Sequence, residues 1–375
     1  MESKVAEPTV GRKYQHIEDL VFTNGSRGGL HAVERLRDMQ ESGGIEIKWD
    51  GMPVVYWGEV DGKFTVLMKN ALAYLKRGVR EVGAGIPTLA TGPQDVTDFV
   101  AGTGKIKPEQ QDARQALAKD MGALWPYLRK ASPKKGLVEG GLLFHPGKPA
   151  VLNKATNEYE FQPNVTKFHI PADSDLGKRI ATATIMVAIT GYQEDIMSPE
   201  GRLDNVEKLS TPDVIVQGTA YTEEKPKLDD KGLGVVERYI SSNASKIDDF
   251  IGGQPGLKRP GDVLYKFYNQ SLRIPGAKKG FTDWVQNNLS AEQAQKVLNH
   301  PGLDATLNAV EMITGQKNLV LQQLGSATHG DIRQTKPEGY VQAHPGKEFK
   351  ADLPGQFVKM IDQPTWTPNR GFKAK

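Results

Sequence analysis

Apolar residues recur along this chain in two rhythms, one of period two and one of period three to four. Alternation marks strands. Ile45 and Ile47 alternate with Glu46 and Lys48, Val54 to Trp57 follow Asp50-Gly51, and Phe64 to Met68 extends the pattern. The first two runs predict a strand, an Asp-Gly turn and a second strand. Gly136 to Lys148 predicts a buried strand ending in a Pro-Gly turn. Thr184 to Tyr192, Asp213 to Gln217, Pro337 to Gln342 and Gln356 to Asp362 predict further strands. Helical spacing appears at Leu30, Val33, Leu36 and Met39 and again in Pro108 to Lys130. Beyond Asp213 to Gln217 it dominates. Val235, Val236, Tyr239, Ile240, Ile247, Phe250 and Ile251 mark one helix, Val263 to Leu272 another, and Phe281 to Leu324 the rest. Residues 81 to 109, rich in Gly, Pro and Thr, predict a loop or lid. Asn24 to Gly29 predicts a glycine-rich turn, either a helix cap or a phosphate cradle at a helix N-terminus.

This distribution divides the chain. Residues 1–13 are polar and predict a flexible tail. Residues 14–195 and 331–375 carry the strands and predict one α+β domain, interrupted over 196–330 by a mostly helical insertion. Two antiparallel sheets with helices outside are the expected architecture.

Composition narrows the classes. The 375 residues are 38% hydrophobic and 25% charged, ordinary for a folded chain with a sizeable core. A net charge of +3 permits a nucleic-acid partner without requiring one. Lys258, Arg259, Arg273, Lys278 and Lys279, near Pro-Gly turns, are either backbone-phosphate contacts or scattered surface charge. With no cysteine, the chain has no disulfide, thiolate metal site or cysteine nucleophile, which points to a reducing cytoplasm. No apolar run approaches the roughly 20 residues that span a bilayer, so no membrane association is expected.

Lys48 is the candidate nucleophile, held on rigid strand backbone. An amine attacks phosphorus only when neutral, and partial burial or cationic neighbours favour that form. An exposed lysine beside an ordinary hairpin turn is the other reading. The stretch Glu46-Ile47-Lys48-Trp49-Asp50-Gly51 resembles the covalent nucleotidyltransferases, the family of ATP-dependent DNA and RNA ligases and messenger-RNA capping enzymes. Downstream the resemblance continues in order. Glu338-Gly339 opens a strand, and Lys359 sits centrally in another, 359 − 338 = 21 positions on.

The resemblance implies a ligase-like fold of ATP-grasp-like antiparallel sheets, with ATP and Mg²⁺ as cofactors. It implies that Lys48 takes AMP from ATP, that Lys359 binds the α-phosphate and that Glu338 holds the metal. Glu46 is implied near the adenine and Asp50, beside Gly51, at the ribose or the lysine. Asn70 and Arg77 are implied at ribose or acceptor phosphate, Glu139 at ribose or metal, and Tyr192 on the base. The bland readings stay open beside these: a solvated basic face for Asn70 and Arg77, and a plain core strand for Tyr192. The chain departs from the family at Gly141, where alignment on Asp-Gly-Glu expects a glutamate, and at Ile361, where a second lysine is expected. An internal echo adds that Glu139-Gly140 and Glu338-Gly339 are each followed by His-Pro-Gly-Lys, at His145 to Lys148 and His344 to Lys347.

The function implied is a compact, phage-type ATP-dependent polynucleotide ligase of DNA repair or replication, passing AMP to a nucleic-acid 5′-phosphate. Because 375 − 359 = 16 residues follow Lys359, too few for the family's OB-fold, the insertion or a protein partner is expected to take that domain's role. Two alternatives stand beside it: transfer to another acceptor, and a catalytically weakened module that binds nucleic acid or protein.

Overall fold

The computed structural model describes residues 14–41, 44–83, 85–103, 110–198, 201, 203–218, 220–222, 224–252, 263–264, 267, 278–325, 329–335, 337–343 and 357–361. The expected tail over 1–13, the His344 to Lys347 turn, Lys258, Arg259, Arg273 and most of the Val263 to Leu272 helix lie outside these residues. The chain divides into two compact units. One joins Met1–Lys48, Tyr221–Ala327 and Pro337–Lys375; the other joins Trp49–Ala220 and Thr328–Lys336. Both mix α and β structure. Among the described residues no helix is long and apolar enough to cross a membrane.

In the first unit a four-stranded sheet runs in the order β1 (Tyr14–His16), β15 (Phe357–Ile361), β14 (Gly339–Ala343), β2 (Ile45–Ile47). The β1–β15 pair is parallel and the others antiparallel. Helix α1 (Asp19–Glu41) packs against α6 (Asp230–Ser242), α7 (Ala244–Gly252) and α10 (Leu303–Leu324). Leu20, Ala32, Val33, Leu36 and Met39 of α1 are buried, as are Leu233, Val236 and Ile240 of α6. An amphipathic helix with so broad an apolar stripe needs such cover. Two shorter helices, α8 (Lys278–Asn288) and α9 (Ala291–Leu298), precede α10, and Ser290 caps α9 by accepting from the Gln293 N–H at 3.3 Å.

Two cationic side chains buried in this helical core have polar partners. Lys317 donates to Glu18 at 2.8 Å, with both side chains at most 2% exposed. Arg35, fully buried, donates to the Gln342 carbonyl at 3.2 Å and so ties α1 to β14. Burial lowers its pKa to about 10, against the raising effects of Asp38 and Glu34.

The glycine-rich turn at 24–29 lies inside α1. Gly25 has φ of 58° and kinks the helix, and Asp248 of α7 accepts from the Ser26 N–H at 2.7 Å and from its hydroxyl at 2.8 Å. Of the two readings of this turn, cap or phosphate cradle, the contacts fit the cap: a carboxylate of the same fold satisfies the helix terminus.

The second unit holds a five-stranded sheet in the order β12 (Val214–Gln217), β11 (Ile185–Gln193), β7 (Leu137–Phe144), β3 (Val54–Val60), β4 (Lys63–Met68). Helices α3 (Pro93–Gly102) and α4 (Gln111–Lys130) contribute Val96, Val100, Met121, Leu124 and Leu128 to a core with Val55, Trp57, Val138 and Val187 of the sheet. The opposite cluster gathers Tyr56, Leu67, Leu72, Leu75 and Leu137. A smaller sheet runs β13 (Arg333–Thr335), β10 (Lys167–Pro171), β9 (Glu158–Phe161), β8 (Val151–Asn153). Phe161 and Phe168 stack at 5.2 Å, flanked by Phe144 and Trp49, so one side of this sheet is aromatic.

Three expectations differ from the fold. β2 does not form a hairpin with β3: β2 pairs with β14, and β3 with β4 and β7. The helices over 230–324 are not a body apart, because they cover α1, while β12 of the same expected insertion pairs with β11. Residues 81–109, expected as a loop, contain the β5 (Glu81–Val82) and β6 (Ile86–Pro87) hairpin and α3, which starts on a proline and buries Val96, Phe99 and Val100.

Candidate active site

The Lys48 motif straddles the division of the chain, since Lys48 closes one segment and Trp49 opens the next. In the first unit, β2 lies against β14, with Glu46 opposite Val341 and Ile47 opposite Tyr340. The Lys48 N–H continues this ladder by donating to the Gly339 carbonyl at 3.0 Å. That register sets the Lys48 amine against Glu338, and Lys48 Nζ donates to Glu338 Oε2 across 290 positions of sequence. The Lys48 side chain is 23% exposed and Glu338 only 2%, so the amine stands at the open side of a buried carboxylate. Glu46 is buried and bridged at its backbone to Tyr221. On the other side of β14, Lys359 is the register partner of Val341, itself opposite Glu46; the Lys359 side chain lies outside the described residues. Glu46 and the backbone of Lys359 thus belong to one sheet, and Lys48 and Glu338 directly flank its strands β2 and β14.

Residues expected beside them belong to the second unit, and several have structural work. Asp50, 4% exposed, accepts from Asn164 Nδ2 at 2.8 Å, from the Val165 N–H at 2.7 Å and from the Thr166 N–H at 2.8 Å. A buried carboxylate with three such donors clamps a loop. The side chain expected to orient ribose or lysine is thus engaged by residues 164–166. Trp49 beside it donates Nε1 to the Gly218 carbonyl at 3.0 Å.

Gly51 explains the departure at Gly141. An added Cβ on Gly51 would lie 2.5 Å from the Gly141 carbonyl carbon, and one on Gly141 would lie 2.9 Å from Gly51 Cα. The two backbones touch, with the Met52 N–H donating to the Leu142 carbonyl at 2.8 Å. No side chain fits at 141, so the glutamate expected there is excluded by the chain's own path.

The remaining candidates do not converge. Asn70 is exposed, with Oδ1 accepting from the Ala71 N–H at 3.1 Å. Exposed Arg77, two residues beyond helix α2 (Lys69–Leu75), folds back on it, donating to the Ala73 carbonyl at 3.0 Å and lying 5.0 Å from the Tyr74 ring centre. Tyr192, opposite Val138 in the β11–β7 ladder, packs on the core and donates its hydroxyl to the Lys135 carbonyl at 3.3 Å. Glu139, half-buried and next to Val138 on β7, projects from the other face. Tyr192 and Glu139 therefore cannot line one surface of a nucleotide site.

His145 is a turn residue, as its Pro-Gly context suggested. The Gly147 N–H donates to its Nδ1 at 3.2 Å, and burial lowers its pKa, opposed by Asp120 and assisted by Lys148.

Sequence reasoning passed over one more cluster. Glu158, Glu160 and His169 present ligand atoms all within 4.8 Å of one another. Its sequence trace is the alternation Glu158-Tyr159-Glu160, which puts two carboxylates on one face of a strand.

Over residues 13–76 and 104–351 the chain matches a family of unknown function, DUF6267. The chain belongs to the DUF6267 family. The matched segments of this DUF6267 chain include Lys48, Asp50, Glu139 and Glu338, while Arg77 and Lys359 fall outside them. No curated protein and no solved structure matches the chain.

Proposed function

We propose that the chain is a ligase-like, ATP-dependent nucleotidyltransferase that carries AMP on Lys48 and passes it to a nucleic-acid 5′-phosphate. The observation that carries this reading is the ion pair of Lys48 with Glu338, the two motif residues that the family resemblance requires together. The adjacency of the Lys359 strand to the strand Glu338 opens adds to it.

In this reading, Lys48 Nζ forms a P–N bond to the α-phosphorus of ATP while the bond to the bridging oxygen breaks, and pyrophosphate departs with the electron pair. Nζ gives up its proton in the step, and Glu338 is the acceptor within reach. Negative charge gathers on the phosphoryl oxygens, and Lys359 is the chain's candidate to meet it. Glu338 also suits Mg²⁺, which prefers carboxylate oxygen and water; bound there, the ion would neutralise phosphate charge. The acceptor 5′-phosphate oxygen then takes the adenylyl phosphorus, the P–N bond breaks, and the proton returns to Nζ. A 3′-hydroxyl finally displaces AMP. DNA or RNA as partner, a second protein in the OB-fold's role, and a cytoplasmic setting, the host's if the chain is viral, belong to the same proposal.

The engaged Asp50 and the closed space at Gly141 favour a second reading, a related module that binds nucleic acid or protein without covalent chemistry. Incubation with α-labelled ATP or GTP and Mg²⁺, followed by denaturation, separates the two. Retained label that Lys48→Ala abolishes supports the enzyme; folded, nucleotide-free protein that takes none leaves the module. Sealed polynucleotide then distinguishes a ligase from transfer to another acceptor.

A further inference from the structure

We propose that Glu158, Glu160 and His169 form a binding site for a divalent transition-metal ion, Zn²⁺ in preference to Mg²⁺. The site lies wholly in the second unit and is independent of the Lys48 chemistry.

The sheet builds it. Glu160 on β9 is the direct cross-strand partner of His169 on β10, and Glu158 precedes Glu160 by two positions on the same face. Phe161 and Phe168 point to the aromatic side, so the polar groups gather on the other. His169 is 8% exposed, and its Nδ1 is buried without a hydrogen-bond partner. That nitrogen points between two carboxylates, 3.5 Å from Glu160 Oε1 and 3.9 Å from Glu158 Oε2.

Such an arrangement offers a cation three ligand atoms. Nε2 lies 2.9 Å from the Thr335 hydroxyl, which leaves Nδ1 as the lone-pair nitrogen when Nε2 carries the proton. In that tautomer the lone pair faces two carboxylate oxygens, and a positive ion placed among the three atoms would be held by all of them. Zn²⁺ binds imidazole nitrogen and carboxylate oxygen at about 2.0–2.2 Å, so the edges of a tetrahedron around it are about 3.4 Å. The 3.5 Å separation lies close to that edge and the 3.9 Å one about 0.5 Å beyond it, with all three ligand atoms within 4.8 Å of one another.

The surrounding residues match an outer shell. Asn153 donates to Glu160 Oε1 at 2.9 Å, and Arg333 donates to both oxygens of Glu158 at 2.9 and 2.8 Å. Each carboxylate oxygen has a second lone pair, so these bonds orient ligands without consuming them. Lys167 pairs with the other oxygen of Glu160 and is 39% exposed, so it can turn to water as the ion adds its charge. Three protein ligands leave one tetrahedral position for water or an anion. One imidazole among oxygens favours Zn²⁺, while Mg²⁺ favours oxygen alone.

Isothermal titration of the full chain with Zn²⁺ tests the site. The expected result is one high-affinity Zn²⁺ per chain, with Mg²⁺ at least about 100-fold weaker. His169→Gln and Glu160→Gln should each weaken Zn²⁺ at least about 100-fold, and Asn153→Ala about tenfold. X-ray absorption at the zinc edge on the unaltered protein guards against a variant that fails to fold, and should give a single imidazole with oxygen donors. Absence of tight Zn²⁺ binding, affinity unchanged in folded His169→Gln and Glu160→Gln, equal binding of Mg²⁺, or a zinc shell without imidazole would each overturn the proposal.

Discussion

Lys48 and Asp50 stand two residues apart in one motif, yet they are held in opposite ways. Lys48 makes its side-chain bond to one buried carboxylate and keeps 23% of its surface in solvent. Asp50 is 4% exposed, and both of its oxygens are committed to residues 164–166. The family resemblance implies both at a nucleotide site. Their surroundings differ in kind: the proposed nucleophile has a single carboxylate partner that it can leave, whereas the aspartate has several donors that hold it in place.

Substitutions sharpen that contrast. Gly51→Ala should have the largest effect on stability, about 3 kcal/mol or more, because the new methyl meets the backbone of Gly141 and neither chain can yield cheaply. The urea midpoint of the full chain reads it, and an unchanged midpoint would mean that the two backbones are not in contact. Asp50→Ala comes next, at about 2–3 kcal/mol, since it strands the buried Val165 and Thr166 N–H groups. Were Asp50→Ala as stable as the parent but unable to take label, the aspartate would belong to the chemistry and the contrast would fail. Lys48→Arg keeps a cation against Glu338 and removes the nucleophilic amine, so stability should change by under about 1 kcal/mol while labelling disappears.

The smallest effect is a pH dependence at His145. Its folded-state pKa lies below the ordinary imidazole value, chiefly through burial, so the unfolded chain takes up the proton first. Stability is fully present above about pH 6.5 and is lost as pH falls through the lowered folded-state value. Comparing urea midpoints at neutral and mildly acid pH for the parent and His145→Gln should show the shallower dependence in the variant. Equal slopes would remove His145 as the cause.

Particular elements show how much of this the sequence carried. Helix α10 was legible because apolar residues repeat at helical spacing across Leu303–Leu324, and β7 because Leu137–Phe144 is nearly unbroken in its burial. The pairing of β2 was not legible. Alternation at Ile45 and Ile47 predicts a strand, but its partner β14 begins at Gly339, and nothing local distinguishes that partner from the nearer β3. The resemblance set Lys48 and Glu338 in one site as nucleophile and metal ligand, but the ion pair between them became visible only with the register of β2 on β14. The roles of Asp50 and Gly51 were hidden for the same physical reason, since both depend on backbone brought from 141 and 164–166. Glu158 and Glu160 declare a shared face by alternation, but only the register with β10 brings His169 between them.

The most direct test of the central claim is to map the covalent label. Protein incubated with α-labelled ATP and Mg²⁺ is denatured and digested, and the labelled peptide is sequenced. The account predicts AMP in phosphoramidate linkage on Lys48, retained by a folded Asp50→Asn protein and lost from Lys48→Arg. Label on another residue, or none on folded protein free of bound nucleotide, would contradict it.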